Sequence, residues 1–480
     1  MKKIISIILL VFLFAACAQN GESSANTDRE TQSVSETTSE TSYYEILGER
    51  NFNGYTFTII DANDYPGTVI NFPEEDGMTG EPINDALYIR DKFIEDKYGV
   101  TLKYIQMTNA NNGCLTLEKS VLADEQEYDL IVSTLLGNSL DRLSTRNVLY
   151  NLIDAPYLSL TSPWWSKLMY DNITFNNRLY YSGGDIFLPS YTNSPGIMLV
   201  NKKLLYDHGV QENLYQLVFD GKWTLEVLER ISKDRDMDLN GDGKMMSEDD
   251  FYGLLYQHNA LTMGIFFAGI GGKYSENMGD TIAVNLTSKV NIDKIDRLTD
   301  LLKEYKYKDQ NNIINITFKE DRALFLMHCM ESPQVFLRDM ESDYGILPMP
   351  KWDEKQDTYI SFLNAWTSGS VGIPQNVDIE RTAFIVEAMA YAGYKTLREP
   401  VYEISFKTKG SRDTESERMI DIIFETVYMD LNGIYNFGNS YDIVCDAVIY
   451  KKPFMSSYEA RATSIEKAID DFIKVISNEN

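Results

Sequence analysis

The chain has 480 residues and a formal charge of −28, with 44% hydrophobic and 12% aromatic residues. This length and composition predict a globular protein of two or three domains with a large buried core. The acidic surface would repel phosphate backbones, which argues against nucleic-acid binding. Only three His are present, and the sequence has no HExxH motif, CxxC pair or Cys/His cluster, so a transition-metal enzyme is not expected.

Residues 1–16 have the pattern of a secretion signal. Lys2 and Lys3 precede the apolar run IISIILLVFLF, which is too short for a membrane-spanning helix. The small residues directly before Cys17 resemble the lipobox of bacterial lipoproteins, in which the cysteine is lipidated. Ordinary cleavage after an alanine, with Cys17 incidental, is the alternative. We expect lipidation of Cys17 and anchoring to the outer face of the cytoplasmic membrane.

Residues 17–49 are expected to form a lipidated cysteine followed by a disordered tether. The stretch is rich in Ser, Thr and Glu and cannot bury a core. The folded body then starts near residue 50. In the body, Cys114, Cys329 and Cys445 are odd in number and irregularly spaced, so we expect no disulfide.

The first part of the body alternates between strand and helix patterns. GYTFTII predicts a strand, Pro82 to Tyr98 a helix that ends at Gly99, and VTLKYIQM a second strand. A helix at 115–123 and a buried strand YDLIVS follow. This order predicts a parallel sheet with helices on its faces, in which ligands lie beyond the carboxyl ends of strands. Thr134 and Asn138 lie just past one such end.

The later elements continue the same α/β pattern. Ser162 and Pro163 predict a helix start at Trp164, and RLYYSGGD predicts a short strand. The remaining expected elements are a strand at 196–200, a helix in KWTLEVLERISKD, a helix at 290–305, buried strands LFLMHCM, YGILPMP and SGSVGIP, and helices at 379–394, 416–428 and 457–476.

The segment DMDLNGDGKMMSEDD has the ligand spacing of a twelve-residue calcium loop. Counted from Asp238, Gly243 falls at the sixth position, where such a loop turns sharply. The ligand positions would be filled by Asp238, Asn240, Asp242, the Lys244 carbonyl, Met246 through a water, and Asp249. Asp249 replaces the usual bidentate Glu, and a solvated acidic turn is the alternative. A structural calcium ion is therefore expected, and no catalytic cofactor.

The order of these features resembles the extracellular solute-binding proteins of ABC importers, the family that includes maltose-binding protein. The segments that carry the resemblance span most of residues 50–480: KYGVTLKYI, YDLIVS, IMLVNKKLL, WTLEVLERISKD, FKEDRALFLMHC, YGILPMP and SVGIP. Glu320 and Asp321 depart from the Gly-Lys or Gly-Glu that is usual in the fifth segment. No single motif is specific, but their order is.

The resemblance implies a two-lobed fold, each lobe a mostly parallel sheet with helices on both faces, joined by crossing hinge segments. By matching segments, the first lobe would hold residues 50–192 and 322–374. The second would hold residues 195–320 and 378–480. The ligand would lie in the cleft between the lobes.

A sugar presents hydroxyl groups at its rim and C–H groups on its faces, so its cleft needs aromatic planes and planar polar groups. Candidates must lie on loops past strand ends or at the crossings. They are Trp366, Asn364, Tyr191, Asn193, Trp164, Trp165, Thr134, Asn138, Tyr274 and Glu331. Trp366 is the strongest of them. Of Trp164 and Trp165, one is expected in the core and one exposed, Tyr191 could be a hinge packer, and His328 is predicted to be a core histidine.

The favoured hypothesis is a monomeric, membrane-anchored binding protein, not an enzyme, that captures a carbohydrate and delivers it to the permease of an ABC importer. Lobe closure around the ligand would be the mechanism. A peptide or another solute in the same fold is an alternative. A secreted glycoside hydrolase would need two carboxylates across a cleft, and a surface glycan adhesin would need no transporter.

Overall fold

The computed structural model describes residues 43–62, 72–74, 77–187, 195–302 and 313–477. Its strands are β1 (Tyr55–Ala62), β2 (Val100–Gln106), β3 (Leu130–Thr134), β4 (Gly196–Asn201), β5 (Tyr252–Leu255), β6 (Ser275–Asn277), β7 (Ile282–Val284), β8 (Ala323–Cys329), β9 (Tyr344–Pro348), β10 (Ser361–Phe362), β11 (Gly369–Gly372) and β12 (Val427–Tyr428).

The helices of the described ranges are α1 (Tyr43–Leu47), α2 (Pro82–Tyr98), α3 (Ala110–Leu122), α4 (Leu140–Ser144), α5 (Lys167–Ile173), α6 (Lys202–Asp207), α7 (Leu214–Phe219), α8 (Leu225–Ser232), α9 (Ala260–Gly269), α10 (Lys289–Leu302), α11 (Ile314–Lys319), α12 (Ser332–Val335), α13 (Ile379–Thr396), α14 (Thr414–Glu425), α15 (Leu431–Tyr435), α16 (Ser440–Val448) and α17 (Phe454–Ser477). A π-helix runs over Pro400–Lys409. None of these helices is long and apolar enough to cross a membrane.

The first sheet has the strand order β11-β3-β1-β2. β1 pairs in parallel with both β2 and β3, and β11 is antiparallel to β3. The turn from α2 into β2 is made by Gly99, whose φ of +61° favours glycine, and its N–H is donated to the Glu95 carbonyl. α3 begins at Ala110, earlier than predicted, because the Asn109 side chain accepts the Asn112 N–H and caps the helix.

The second sheet has the strand order β5-β8-β4-β9. β5 and β8 are parallel, whereas β4 is antiparallel to both β8 and β9. The predicted α/β class is confirmed, but this sheet is mainly antiparallel where a mostly parallel one was expected. β8 and β9 were assigned to the first lobe by the range 322–374. Their hydrogen bonds to β4 place them in the second sheet, so that part of the assignment was wrong.

A second segment also departs from the expected assignment. α13 was placed with the second lobe, yet it packs against α2, the helix that covers the first sheet. Gly393 of α13 lies so close to the Asp185 carbonyl that an added Cβ would be 1.7 Å from that oxygen. The lobe boundaries as a whole stay a prediction.

Near residue 165, one predicted helix starts later than expected and one predicted strand was wrong. The helix expected at Trp164 begins only at Lys167, where the Ser166 side chain accepts the Met169 N–H. The RLYYSGGD segment forms isolated bridges, such as Ser182 with Val371, and no strand. The other strands and helices that we predicted within the described ranges are present, with ends shifted by a few residues.

The described part of the chain starts with α1. The last residues of the predicted tether are therefore helical, whereas we expected them to be disordered. Tyr43 packs against Trp164 and Tyr391, with ring centroids 4.5 Å and 5.1 Å away. These aromatic contacts let the short helix bury apolar surface, which the Ser/Thr/Glu-rich stretch before it cannot do. Cys17 and the rest of the predicted tether lie outside the described residues.

A buried carboxylate, Glu387, holds this corner of the protein together. Its Oε1 accepts hydrogen bonds from the Tyr43 hydroxyl at 2.8 Å and Trp164 Nε1 at 2.9 Å. Its Oε2 accepts bonds from Trp165 Nε1 at 2.8 Å and the Ser159 N–H at 3.2 Å. Four donors from two segments, α1 and residues 159–165, therefore converge on one side chain of α13.

Replacement of Glu387 by Gln should destabilise the protein by about 2 kcal/mol or more, because an amide NH₂ would replace one acceptor and leave buried donors unpaired. Urea unfolding measures the difference. Glu380→Gln, on the exposed side of the same helix, is the control and should change the free energy of unfolding by less than about 0.5 kcal/mol. Equal effects of the two substitutions would contradict this role of Glu387.

Candidate functional site

A cleft of about 350 Å³ lies where segments of the two sheets meet. Its lining comes from residues 257–265 after β5, from residues 327–331 at the end of β8, and from residues 364–367 before β11. β5 and β8 belong to the second sheet and β11 to the first. A concave site of this size at such a junction is suited to a small ligand.

Trp366 forms an aromatic wall of the cleft, and half of its surface is exposed. Its ring lies against Gly137 in the loop after β3. A Cβ at Gly137 would be 2.4 Å from Trp366 Cζ3, and the φ of Gly137 is +100°, so only glycine fits there. The ring is thus supported by the first sheet and partly open to solvent.

Asn364 shapes the same wall. Its Oδ1 accepts the Trp366 N–H at 3.0 Å, and its Nδ2 lies 3.7 Å from the Cys329 sulfur, so the loop contacts the end of β8. The Ala365 carbonyl accepts the N–H groups of Leu135 and Leu136. These bonds fix the loop before β11 to the end of β3, which positions Trp366.

Glu331 and His328 line the cleft from the end of β8. Glu331 is 2% exposed, and its Oε2 has no hydrogen-bond partner within the described ranges. Burial raises the pKa of Glu331 to about 8. Burial lowers the pKa of His328 to about 4, and its Nδ1 is 3.6 Å from Glu331 Oε1. Both side chains are therefore uncharged at neutral pH.

Of the predicted ligand residues, the structure brings Trp366, Asn364 and Glu331 together in the cleft. Thr134 is buried, with its hydroxyl 2.9 Å from that of Ser139. Asn138 is exposed beside Gly137, but neither Thr134 nor Asn138 lines the cleft. Tyr191 and Asn193 lie outside the described residues.

Three aromatic candidates were wrong. Both Trp164 and Trp165 are buried, and both indole N–H groups are donated to Glu387. Tyr274 is buried against Tyr441, with ring centroids 4.5 Å apart. One of Trp164 and Trp165 was expected in the core, which is confirmed, but the other and Tyr274 were expected to be accessible, and burial of their large apolar area decides their position here.

Other cleft residues were not predicted from the sequence. Gln257, His258, Asn259 and Thr262 line the cleft between β5 and α9, and His328 lines it from β8. The signal was present, since a polar QHN triplet follows the buried strand YGLL. His328 was expected in the core because the residues around it are apolar, and its side chain is only 8% exposed and hydrogen-bonded to Asn315, although it also lines the cleft.

The acidic loop lies between α8 and β5, away from the cleft lining. Asp238 accepts the N–H groups of Gly241 and Gly243, and Asp242 accepts that of Lys244. Within the described part of the chain, no three His, Cys, Asp or Glu side chains are grouped so as to hold a metal ion. Calcium binding would require these carboxylates to converge, and it stays a prediction for Asp238, Asn240, Asp242, Lys244 and Asp249.

Cys114, Cys329 and Cys445 are all buried, and none of them forms a disulfide. Burial raises the pKa of the Cys114 and Cys445 thiols to about 12. It also raises the pKa of the Cys329 thiol, which lines the cleft. These thiols are therefore protonated and behave as small apolar groups.

The fold has well-defined relatives among solved structures. An ABC substrate-binding protein from Listeria monocytogenes in complex with cycloalternan matches with a TM-score of 0.57 and 12% identity, over 87% of this chain and 99% of that chain. The chain has the fold of the ABC substrate-binding proteins. No protein-family model and no curated protein sequence matches it.

Two further structures show the same fold. The maltose-binding periplasmic protein MalE from Listeria monocytogenes, in complex with maltose, matches with a TM-score of 0.57 and 14% identity over 87% of this chain and 98% of that chain. MalX from Streptococcus pneumoniae, in complex with maltopentaose, matches with a TM-score of 0.53 and 15% identity over 86% of this chain and 99% of that chain. The ABC-substrate-binding fold thus extends over nearly the full length of these neighbours.

The raised pKa of Glu331 predicts a pH-dependent effect of Glu331→Gln on stability. The acid is protonated in the folded state up to about pH 8, so its contribution is fully present below its ordinary value of 4.5 and is lost as the pH rises through about 8. The variant should therefore gain stability relative to the original chain between pH 5 and 8, by up to about 1.4 kcal/mol per pH unit. Urea unfolding at several pH values measures this, and a constant difference would contradict it.

For the acidic loop, calcium binding to the folded state should raise the melting temperature, and a chelator should reverse the rise. The double substitution Asp238→Asn and Asp242→Asn should abolish the calcium effect. Differential scanning calorimetry with calcium or with EGTA measures this. An unchanged melting temperature would identify the segment as a solvated acidic turn.

Proposed function

We propose that the chain is an extracellular solute-binding protein that captures an oligosaccharide in the cleft and delivers it to the permease of an ABC importer. The observation that carries the proposal is the half-exposed ring of Trp366 in a cleft at the junction of the two sheets. An aromatic plane of this kind stacks on the C–H face of a sugar.

The polar lining supports a sugar as the solute. Gln257, Asn259 and Asn364 offer planar amides, each of which both donates and accepts hydrogen bonds. Sugar hydroxyl groups also donate and accept hydrogen bonds, so an amide can pair with a hydroxyl group as its donor or as its acceptor. The neighbouring folds in complex with cycloalternan, maltose and maltopentaose favour the same class of ligand.

The lining gives less support to the alternatives. A glycoside hydrolase needs two carboxyl groups across the cleft, and Glu331 is the only carboxyl among the lining residues that the structure describes. A peptide binder needs a cation for the terminal carboxylate, and these lining residues include no Lys or Arg. An adhesin is consistent with the cleft, and genes for a permease beside this one would argue against it.

Export and anchoring follow from the amino-terminal sequence. The signal-like residues 1–16 and the small residues before Cys17 support a lipoprotein on the outer face of the cytoplasmic membrane. The Ser/Thr/Glu-rich stretch after Cys17 would let the body reach the permease. Closure of the fold around a ligand that contacts both sheets would signal that the protein is loaded.

The function is tested by a thermal-shift screen of the purified protein against maltotriose, cellotriose, xylotriose and a set of tripeptides. A bound sugar at a hundred times its Kd should stabilise the folded state by about 2.7 kcal/mol. A shift with the peptides alone would contradict the proposal.

Trp366→Ala should weaken the binding of the sugar found in that screen at least about tenfold, because the stacking plane is lost. The melting temperature without ligand should change little, since half of the ring is already exposed. Isothermal titration calorimetry measures the affinity. Tyr206→Ala, at an 85% exposed ring on α6, is the control and should leave the affinity unchanged. Unfolding of Trp366→Ala would instead place this ring in the core.

A further inference from the structure

A chain of buried polar groups sets the hydrogen positions on His328. The Ser332 hydroxyl is donated to Asn315 Oδ1 at 2.7 Å, which turns the Asn315 amide nitrogen toward His328. That nitrogen is 3.2 Å from His328 Nε2. Because an amide nitrogen only donates, Nε2 accepts in this orientation of Asn315, and the neutral ring then carries its proton on Nδ1.

The Nδ1–H group of His328 faces Glu331. The distance from Nδ1 to Glu331 Oε1 is 3.6 Å, which is too long for a hydrogen bond, and Nδ1 has no hydrogen-bond partner within the described ranges. Glu331 lines the cleft, and its Oε2 is buried without a hydrogen-bond partner within the described ranges. The free oxygen of this carboxyl group is thus left for a ligand.

Among the lining residues that the structure describes, no positive charge would stabilise a carboxylate at Glu331. His328 is neutral by the argument above, and the described cleft lining has no Lys or Arg. Burial lowers the pKa of His258 and raises that of Cys329, so the two other titratable groups of the lining are also neutral at pH 7. A buried carboxylate without a cation is costly, which favours the acid form.

We infer that Glu331 acts as a neutral hydrogen-bond donor through Oε2–H and that it makes the cleft select uncharged sugars over acidic sugars and amino sugars. The inference rests on the proposed function. An acidic sugar would bring a carboxylate into a lining without Lys or Arg. An amino sugar would have to ionise Glu331 before it gained a counter-ion, which lowers its affinity.

The first test compares Glu331→Gln and Glu331→Ala by isothermal titration calorimetry at pH 7, with the best-binding uncharged trisaccharide. Gln keeps the shape and a donor, so its affinity should stay within about threefold of the original, whereas Ala should lose tenfold or more. Glu380→Gln is the control for loss of one carboxylate elsewhere and should have no effect. A tenfold loss with Gln would overturn the inference.

The same titrations with trigalacturonate and with the trimer of glucosamine test the selectivity. Both should bind at least about tenfold more weakly than the uncharged trisaccharide. Equal or tighter binding of either charged sugar would overturn the inference and leave the proposed function standing.

The protonation state is tested without any sugar. In protein labelled with ¹³C at the glutamate δ-carbon, the signal missing from Glu331→Gln identifies Glu331. It should have the chemical shift of a carboxylic acid at pH 7, and a carboxylate shift would overturn the inference. An acid shift together with no response to any sugar would uphold the donor and reject the proposed function.

Discussion

The burial of β8 in the middle of the second sheet is the constraint on which the cleft depends. β8 pairs in parallel with β5 and antiparallel with β4, so both of its edges are hydrogen-bonded. Its residues from Ala323 to Met327 are at most 2% exposed. The pairing of both edges fixes the position of the end of β8. His328, Cys329 and Glu331 lie at that end and line the cleft.

The second requirement is a rigid link between the two sheets. The loop before β11 supplies it, because the Ala365 carbonyl accepts N–H groups at the end of β3 while Asn364 contacts Cys329. Gly137 then leaves room for the ring of Trp366. The cleft is therefore lined both by an aromatic plane packed against the first sheet and by polar groups of the second sheet, and a ligand could contact both.

The sequence predicted the parts that depend on local pattern. Apolar alternation and Gly or Asn at the ends of helices located most strands and helices, and the order of segments indicated the fold. The sequence could not predict which strands pair with each other. β8 and β9 would be equally apolar if they were buried in either sheet. The antiparallel pairing with β4 and the packing of α13 on α2 are long-range contacts that leave no periodic signal.

The sequence also predicted only part of the site. Trp366, Asn364 and Glu331 follow or precede strands. Their positions in the sequence, next to predicted strands, were the only reason to propose them as ligand-binding residues. Trp164, Trp165 and Tyr274 have the same residue types at comparable positions but are buried. Glu387 accepts the hydrogen bonds of the two indole N–H groups. It lies 222 residues after Trp165 in the chain, so no local sequence pattern could reveal this contact. His328 was correctly predicted to be a buried histidine from its apolar neighbours in sequence, but its position in the cleft lining was not predicted.

The central claim is that a sugar binds against Trp366, and the indole NMR signals test it most directly. The chain has five Trp, at positions 164, 165, 223, 352 and 366, and Trp366 is the one that lines the cleft. In protein labelled with ¹⁵N at tryptophan, saturation with the sugar found by the thermal-shift screen should move the Trp366 indole signal most. Larger shifts at the buried Trp164 or Trp223, with Trp366 unmoved, would contradict the account.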